Sequence, residues 1–303
     1  MTSDRWIGLL LLGPVAVAGV FSLARLAAAG AHVPQAVDFE TVARALHEQN
    51  IDSTVDAVAV LPPWSLRPYE YLRGMSPISG DALAQQPLDR YRRLFVVIEP
   101  DAERYVRPLV SRLGPPSLAA RAGVVELARF DLPQRTVRFD FRRSIETGEV
   151  RIADARTGAT RLACEHRILN GVGCGGRPWW QRVDREWLHV TDNGEEAIWI
   201  HPPPFGERLE IAFTAVPLGT RTILRAGYTV VGADRATVPL RVSMLIDDVE
   251  AWQRRYRPSV GFGSVEIDTR RWSAAPHRVT FLIESEGPNR YQHFAFDGYT
   301  ADP

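Results

Sequence analysis

Hydrophobic and polar positions change their spacing along the chain, and each spacing predicts a different kind of element. After an apolar first segment, Phe39 to Gln49 has helical spacing and the apolar run Ala57 to Leu61 is typical of a buried strand. Leu94 to Ile98 and Val124 to Phe130 predict two further strands, with a helix over Ala102 to Leu113 between them. Strands that alternate with helices predict a small α/β unit with a short parallel sheet.

Beyond Pro133 the spacing becomes a strict alternation, which is typical of half-buried strands. The first such strand, Thr136 to Phe141, places Val137, Phe139 and Phe141 on one face. The same alternation recurs at Arg208 to Phe213, Val238 to Ile246, Ser264 to Ile267, Arg278 to Ile283 and His293 to Phe296. Many short strands without intervening helices predict an antiparallel sandwich of the jelly-roll type.

The first segment is long enough to be a membrane helix. Trp6 to Ala24 has no charged residue, and at about 1.5 Å per residue it would span roughly 28 Å, close to a bilayer core of about 30 Å. The alternative is a cleaved signal peptide, because Leu26 to Ala31 offers small residues suited to cleavage. Arg25 favours the anchor, since a charge at that point suits the end of a membrane helix.

Together these patterns predict an α+β protein in three parts. Residues 1–33 would form a membrane anchor and linker, residues 34–133 the small α/β domain, and residues 134–303 the β-sandwich domain. Arg5 and Arg25 flank the apolar run symmetrically, so the charges do not decide which way the helix crosses.

Charge and composition exclude several function classes. The 36 basic and 36 acidic residues cancel, and no basic block indicates a phosphate-binding stripe, so no nucleic-acid partner is expected. All 36 basic residues are arginine, which excludes a Walker lysine, a Schiff-base lysine and a Ser-Lys dyad. No glycine-rich phosphate cradle follows the α/β strands, so no cofactor is expected.

The two cysteines indicate a compartment. Cys164 and Cys174 lie ten residues apart, a spacing that a disulfide-closed loop accommodates in an oxidising environment. Two reduced thiols, or a zinc site that also uses His166 and His189, are the alternatives. The disulfide favours an extracytoplasmic, periplasmic location for a soluble part held by a single-pass anchor.

The stretch from Ala197 to Asp297 resembles the galactose-binding-like, carbohydrate-binding jelly-roll sandwiches. The resemblance lies in Ala197-Ile198-Trp199-Ile200-His201-Pro202, Val216-Pro217-Leu218-Gly219, Leu224-Arg225-Ala226-Gly227-Tyr228, Ser243-Met244-Leu245-Ile246-Asp247-Asp248 and His293-Phe294-Ala295-Phe296-Asp297. It implies a strand-and-turn sandwich that binds sugars, and it includes no catalytic motif.

A second resemblance covers residues 56–133, which are similar to the soluble tail domains of polytopic envelope glycosyltransferases. It rests on Ala57-Val58-Ala59-Val60-Leu61-Pro62-Pro63-Trp64 and Arg93-Leu94-Phe95-Val96-Val97-Ile98-Glu99-Pro100. Those enzymes hold their catalytic carboxylates between many membrane helices, whereas this sequence predicts one helix at most. The resemblance therefore implies a place in envelope glycan or glycolipid metabolism without the transferase activity.

Six tryptophans are candidate sugar-stacking residues: Trp179, Trp180, Trp187, Trp199, Trp252 and Trp272. Any single one could instead be a core residue. Trp179 and Trp180 beside Arg177 are the strongest candidates, because adjacent residues of an extended chain face opposite ways and both can hardly be core.

Asp247 and Asp248, with Glu250, could be paired carboxylates for acid–base work, a calcium ligand set or part of a ligand site. A polar turn after the strand that ends at Ile246 is the structural alternative. The seven histidines have no paired metal-ligand spacing, and no nucleophile elbow is present.

The sequence thus predicts a non-enzymatic, membrane-anchored periplasmic protein whose sandwich binds carbohydrate, a glycolipid or a partner in the cell envelope. One alternative is an accessory subunit of a membrane complex, held by its transmembrane helix. The other is an envelope glycan-processing enzyme, which would require two carboxylates that face each other across a cleft.

Overall fold

The computed structural model describes residues 33–303 except 73, 74, 76, 82, 134, 169, 176–180 and 190–193. The described helices are α1 (Ala36–Glu48), α2 (Glu103–Leu113) and α3 (Val230–Arg235), with 3₁₀ turns at Arg67–Glu70, Leu83–Gln85, Ile145–Thr147 and Arg270–Trp272. The described strands are β1 (Asp56–Leu61), β2 (Arg93–Ile98), β3 (Ser117–Ala122), β4 (Val125–Asp131), β5 (Val137–Asp140), β6 (Glu149–Asp154), β7 (Thr160–Cys164), β8 (His166–Ile168), β9 (Gly171–Gly173), β10 (Arg182–His189), β11 (Gly194–Ile200), β12 (Glu207–Pro217), β13 (Arg221–Tyr228), β14 (Leu240–Ile246), β15 (Val249–Tyr256), β16 (Gly263–Asp268), β17 (Pro276–Ser285) and β18 (Phe294–Ala301).

Strands β1 to β4 form a four-stranded sheet in the order β1-β2-β4-β3, and with α1 and α2 they make up the α/β unit. Both faces of this sheet are covered, because successive strand residues point to opposite sides. Val58 packs in a cluster with Phe39 of α1, whereas Ala59 packs in a cluster with Leu109 of α2. The expected short parallel sheet is reduced to one parallel pair, β1 with β2, since β3 and β4 pair antiparallel.

The other fourteen strands form two antiparallel sheets, which we call the sandwich. One sheet has the order β16-β13-β18-β11-β10-β9-β8, with β5 also paired to β18; the other has the order β15-β14-β17-β12-β6-β7. A shared aromatic core fills the space between the sheets. The ring of Phe281 lies 5.0 Å from that of Phe141 and 5.1 Å from that of Phe296, all three being fully or almost fully buried.

A disulfide joins the two sheets at one edge of the sandwich. Cys164 ends β7 of the six-stranded sheet, and Cys174 follows β9 of the eight-stranded sheet. Both residues belong to the sandwich core. Because the sulfurs are bonded to each other, neither is a free thiolate for the zinc site weighed above.

The predicted fold class is wrong. Strands make up 47% of the described residues and helices 17%, so the molecule is mostly β-sandwich rather than α+β. None of the described helices is both long and apolar enough to cross a bilayer. Trp6 to Ala24, where the transmembrane helix was expected, lies outside the described residues. The expectation underweighted strands, because strands such as β10 and β15 carry polar residues on much of their length and escape an apolar pattern search.

Candidate functional site

The α/β unit packs on the outer face of the eight-stranded sheet through buried charges. Arg90, in the long connection between β1 and β2, donates to both carboxylate oxygens of Asp297 on β18 at 2.5 and 3.1 Å. Its second terminal nitrogen also donates to Asp140 at 3.3 Å. Both Arg90 and Asp297 are almost fully buried, so the pair fixes the unit on the sheet through a contact from which water is excluded.

Asp297 is surrounded by arginines. Burial disfavours its charge, but Arg90, Arg142 and Arg225 together hold the pKa of Asp297 below its ordinary value. A neighbouring contact also joins the two parts, since the hydroxyl of Tyr299 donates to Asp89. The carboxylate is therefore ionised at neutral pH and forms the centre of the junction.

A cleft of about 700 Å³ opens beside this junction, and we call it the interunit cleft because both parts line it. The α/β unit contributes Ser79, Asp81, Gln86 and Pro87. The sandwich contributes Glu195, residues 225–228, residues 254–257 and residues 259–264. The volume lies in the range of small-molecule sites, which is about 300 to 1,000 Å³.

A fixed ion pair lies on the sandwich side of the interunit cleft. Arg225 of β13 donates to both oxygens of Glu195 of β11 at 3.1 and 3.0 Å. Both side chains are nearly buried, at 11% and 5% exposure. The half-buried ring of Phe262 lies 5.1 Å from the Arg225 guanidinium. Strand β13 brings these groups together, because its residues pair with β18 on one side and with β16 on the other.

The loop that contains residues 257–262 forms one wall of the interunit cleft. It runs close to β13, since a Cβ on Gly227 would lie 2.1 Å from the carbonyl oxygen of Gly261. Tyr256, just before the loop, has its ring in the sandwich core and a buried hydroxyl with no hydrogen-bond partner among the described residues. Burial raises the pKa of Tyr256 to about 12. The hydroxyl is therefore a neutral hydrogen-bonding group.

The opposite wall comes from the connection between β1 and β2. The side-chain amide of the buried Gln86 donates to the carbonyl oxygens of Ser79 at 3.2 Å and Asp81 at 2.7 Å. Arg112 of α2 in turn donates to the carbonyl oxygen of Gln86 at 2.7 Å. These bonds hold an irregular segment in one conformation, so this wall is preorganised.

A second cluster of polar and aromatic side chains lies on β10 and β11 and just before β18. The Arg182 guanidinium lies 4.9 Å from the ring of Trp199, and His293 lies 5.6 Å from Trp199 and 5.4 Å from His201. Burial raises the pKa of Asp184 to about 6, and burial lowers the pKa of His201 to about 4. Trp199 is only 5% exposed, so its ring is not a surface on which a sugar could stack.

The strongest candidate binding residues from the sequence are not among the described residues. Arg177, Trp179 and Trp180 lie outside the described residues, so their proposed role in binding stays a prediction. Of the other predicted tryptophans, Trp187 is 42% exposed, whereas Trp252 and Trp272 pack against the sandwich core. None of these three lines the interunit cleft.

Asp247 and Asp248 form the tight turn between β14 and β15, both with positive φ. Asp247 accepts hydrogen bonds from Nδ1 of His277 at 2.5 Å and from the backbone N–H of Arg278 at 2.9 Å, and the first of these lowers its pKa. The pair thus lies at the end of the hairpin away from Tyr256 and does not line the interunit cleft. Among the described residues, no group of three or more His, Cys, Asp and Glu side chains is arranged to hold a metal ion.

The sequence reasoning missed the residues that the cleft brings together. Glu195 and Arg225 are thirty positions apart, and no motif links them. A signal was available, because Arg225 and Asp297 interrupt otherwise apolar strands of a sandwich. A charge at such a position must be paired once the strand is buried, which points to a buried ion-pair network.

No protein-family model matches this chain, and no curated protein matches it. Solved structures do match, including the CBM51-2 and INT domains of ZmpB from Clostridium perfringens, at 13% identity and a TM-score of 0.29. This match covers 39% of the chain and 25% of that structure, so the chain spans about a quarter of its length.

Two further matches are single binding modules. A CBM51 from Clostridium perfringens GH95 in complex with methyl-galactose matches at 10% identity and a TM-score of 0.29, over 38% of this chain and 78% of that one. Carbohydrate-binding modules of the β-sandwich superfamily match at 9% identity and a TM-score of 0.32, over 60% and 68%.

These matches are carbohydrate-binding β-sandwiches, the class that residues 197–297 were expected to resemble. A Stig cyclase from Fischerella sp. TAU also matches, at 12% identity and a TM-score of 0.28 over 51% and 86%. At such TM-scores the matches do not decide the ligand or the activity. None of them shows the expected resemblance of residues 56–133 to glycosyltransferase tail domains.

Proposed function

We propose that this protein binds a carbohydrate in the interunit cleft, performs no chemistry on it, and works outside the cytoplasm. The observation that carries the proposal is the fixed Arg225–Glu195 pair beside the ring of Phe262. Sugar hydroxyls need donors and acceptors in fixed positions, and the apolar face of a sugar ring packs on an aromatic side chain. The cleft supplies both.

The same pair also supports a functional role, because a buried ion pair is in general weak evidence for a stabilising role. Removing two charges from water costs several kcal/mol for each ion, so a buried pair is often no better than apolar residues of similar size. At the edge of a cleft, however, the remaining hydrogen-bonding capacity of Arg225 and Glu195 faces a ligand. A binding role accounts for their presence there.

The proposal that the protein performs no chemistry rests on how the acid is held. Glycoside hydrolysis needs one carboxyl group that donates a proton and a second one facing it. Both oxygens of Glu195 accept hydrogen bonds from Arg225, so Glu195 is fixed as half of an ion pair. The other acid that lines the cleft, Asp81 on the opposite wall, therefore lacks a partner acid among the described residues that is free to donate or accept a proton.

The disulfide supports the proposed location. Disulfides persist in oxidising compartments and are rare in the cytosol. If the protein works outside the cytoplasm, alkylation of protein taken unreduced from its native cells should leave Cys164 and Cys174 unmodified until a reductant is added. Full alkylation before reduction would contradict the proposed location.

Binding is tested by calorimetric titration of the full chain with soluble oligosaccharides chosen from a glycan array. Phe262→Ala should weaken binding about two- to tenfold, since an aromatic contact is worth about 0.5 to 1.5 kcal/mol. The control is Phe205→Ala, because Phe205 is 71% exposed and does not line the cleft. Equal affinities of the two variants, or no bound glycan on the array, would overturn the proposal.

A further inference from the structure

The lining of the interunit cleft is richer in arginine than in acid. Its arginines are Arg225, Arg254, Arg255 and Arg257, and its acids are Asp81 and Glu195. This local excess contrasts with the whole chain, in which 36 basic and 36 acidic residues balance. The charge of the cleft is therefore a local property that the overall composition does not reveal.

Two of the four arginines are neutralised by fixed partners. Arg225 is paired with Glu195, as described above. Arg255 donates from Nε to both oxygens of Glu286 at 2.9 and 2.8 Å, and this bond lowers the pKa of Glu286. Of the other two, neither Arg254 nor Arg257 forms an ion pair with a carboxylate among the described residues. Both are exposed, so they add uncompensated positive charge at the rim.

Arg254 is also held in position. Its guanidinium lies over the ring of Tyr256, 5.1 Å from the centroid. It runs beside Gly263, since a Cβ at Gly263 would lie 3.0 Å from one of its terminal nitrogens. A planar guanidinium that is oriented in advance loses little conformational freedom when it forms two parallel hydrogen bonds to a carboxylate.

We propose that the ligand of the interunit cleft is an acidic glycan whose uronic acid carboxylate is bound by Arg254, with Arg257 adding to the local positive field. This inference rests on the proposed function, because it names the class of carbohydrate for the same site. A neutral sugar would leave the charge of Arg254 facing the ligand without a counter-charge. A carboxylate there gains a charge-assisted, bidentate contact.

The test compares two ligands that differ in the acid group. Oligogalacturonate and a galacto-oligosaccharide of equal length are titrated into the full chain by calorimetry at fixed ionic strength. Oligogalacturonate should bind about fivefold more tightly, which is the ratio that about 1 kcal/mol gives, the upper value for an ion pair with an exposed arginine. Arg254→Ala should remove that preference by lowering the affinity for oligogalacturonate towards that for the neutral oligomer.

Two variants separate a specific contact from general charge. Arg254→Lys keeps the charge but loses the planar fork, so it should recover only part of the preference. Arg156→Ala removes an exposed arginine in the turn between β6 and β7, outside the cleft, and should change nothing. Thermal unfolding of each variant shows that it is folded, which is expected because both arginines are exposed.

The outcomes distinguish the two proposals. If the neutral oligomer binds as tightly as oligogalacturonate and Arg254→Ala changes neither, the acidic-glycan inference is overturned and the carbohydrate proposal stands. An equal loss of affinity for oligogalacturonate in Arg156→Ala and Arg254→Ala would show unspecific attraction and also overturn the inference. If neither oligomer nor any glycan of the array binds, the proposed function itself fails.

Discussion

Asp297 shows how a single residue fixes the arrangement of the whole molecule. It sits in the apolar strand β18, it is 3% exposed, and its carboxylate binds Arg90 of the α/β unit on the outer face of the sheet. Such a pair is costly to break from one side only, because the partner charge remains buried without compensation.

Replacing Asp297 by Asn should therefore lower the free energy of unfolding by about 3 kcal/mol, since Arg90 loses its buried counter-charge while it keeps the longer contact with Asp140. The control is Asp268→Asn, because Asp268 is 59% exposed and pairs with the exposed Arg270. That surface pair should be worth less than about 1 kcal/mol. Denaturant unfolding measures both variants, and similar losses would show that Asp297 is not a special point of the junction.

His201 predicts a dependence of stability on pH. Burial lowers its folded-state pKa to about 4, below the ordinary 6.5, so the unfolded chain takes up a proton first as the pH falls. The folded state should thus lose stability between pH 6.5 and 4, by up to about 3 kcal/mol at about 1.4 kcal/mol for each pH unit. Asp184 acts in the opposite direction, because its folded-state pKa is raised to about 6.

The two effects are separated by urea unfolding at several pH values. His201→Gln should lose less stability than the unsubstituted protein as the pH falls from 6 to 4, because His201 of the unfolded chain no longer takes up a proton, while the lowered pKa of His293 still acts in the same direction. Asp184→Asn should instead lose stability over the same range, more steeply than the unsubstituted protein. Parallel pH profiles for both variants would refute this assignment.

At the scale of elements, alternation predicted strands well where one face is apolar and poorly elsewhere. The expected strands at 208–213, 278–283 and 293–296 overlap β12, β17 and β18. Strand β5 shows why a regular pattern can still mislead. Val137 was expected to share a face with Phe141, yet Phe141 lies in the sandwich core and Val137 packs against Tyr299 in a separate cluster. The pairing of β5 with β18 changes register between Thr300 and Ala301, and such a shift depends on the partner strand.

The close contact between β13 and the loop at 257–262 can be tested by a substitution on β13. Gly227→Ala would place a Cβ 2.1 Å from the carbonyl oxygen of Gly261, so the loop must move. We expect a loss of stability of about 1 to 3 kcal/mol and weaker oligosaccharide binding, because Phe262 moves with the loop. Gly175→Ala is the control, since a Cβ there meets nothing within 4 Å. Calorimetric affinity that is equal for the two variants would show that the loop does not form part of the site.

At the scale of the whole molecule, the site depends on an arrangement that no local pattern encodes. The long connection between β1 and β2 carries both the contacts that fix the α/β unit, Asp89 and Arg90, and one wall of the cleft. The segment from 62 to 92 has no regular period of apolar residues, so the sequence predicted no helix or strand there. It forms a wall of the cleft only because it packs on the outer face of the eight-stranded sheet.

Because the α/β unit and the sandwich both line the interunit cleft, a ligand should hold them together. Hydrogen exchange should then slow in both walls at once, residues 78–88 and residues 257–263, while exchange in α1 stays unchanged. At a free ligand concentration about a hundred times Kd, opening should become rarer by about a hundredfold, equivalent to about 2.7 kcal/mol. Without ligand, Tyr299→Phe should speed exchange in residues 78–88, because it removes the hydrogen bond to Asp89 that joins the two parts. Tyr105→Phe is the control, because Tyr105 lies in α2 and outside the cleft lining. Protection by the ligand confined to 257–263 would mean that the sandwich binds alone and that the α/β unit only lies beside the site.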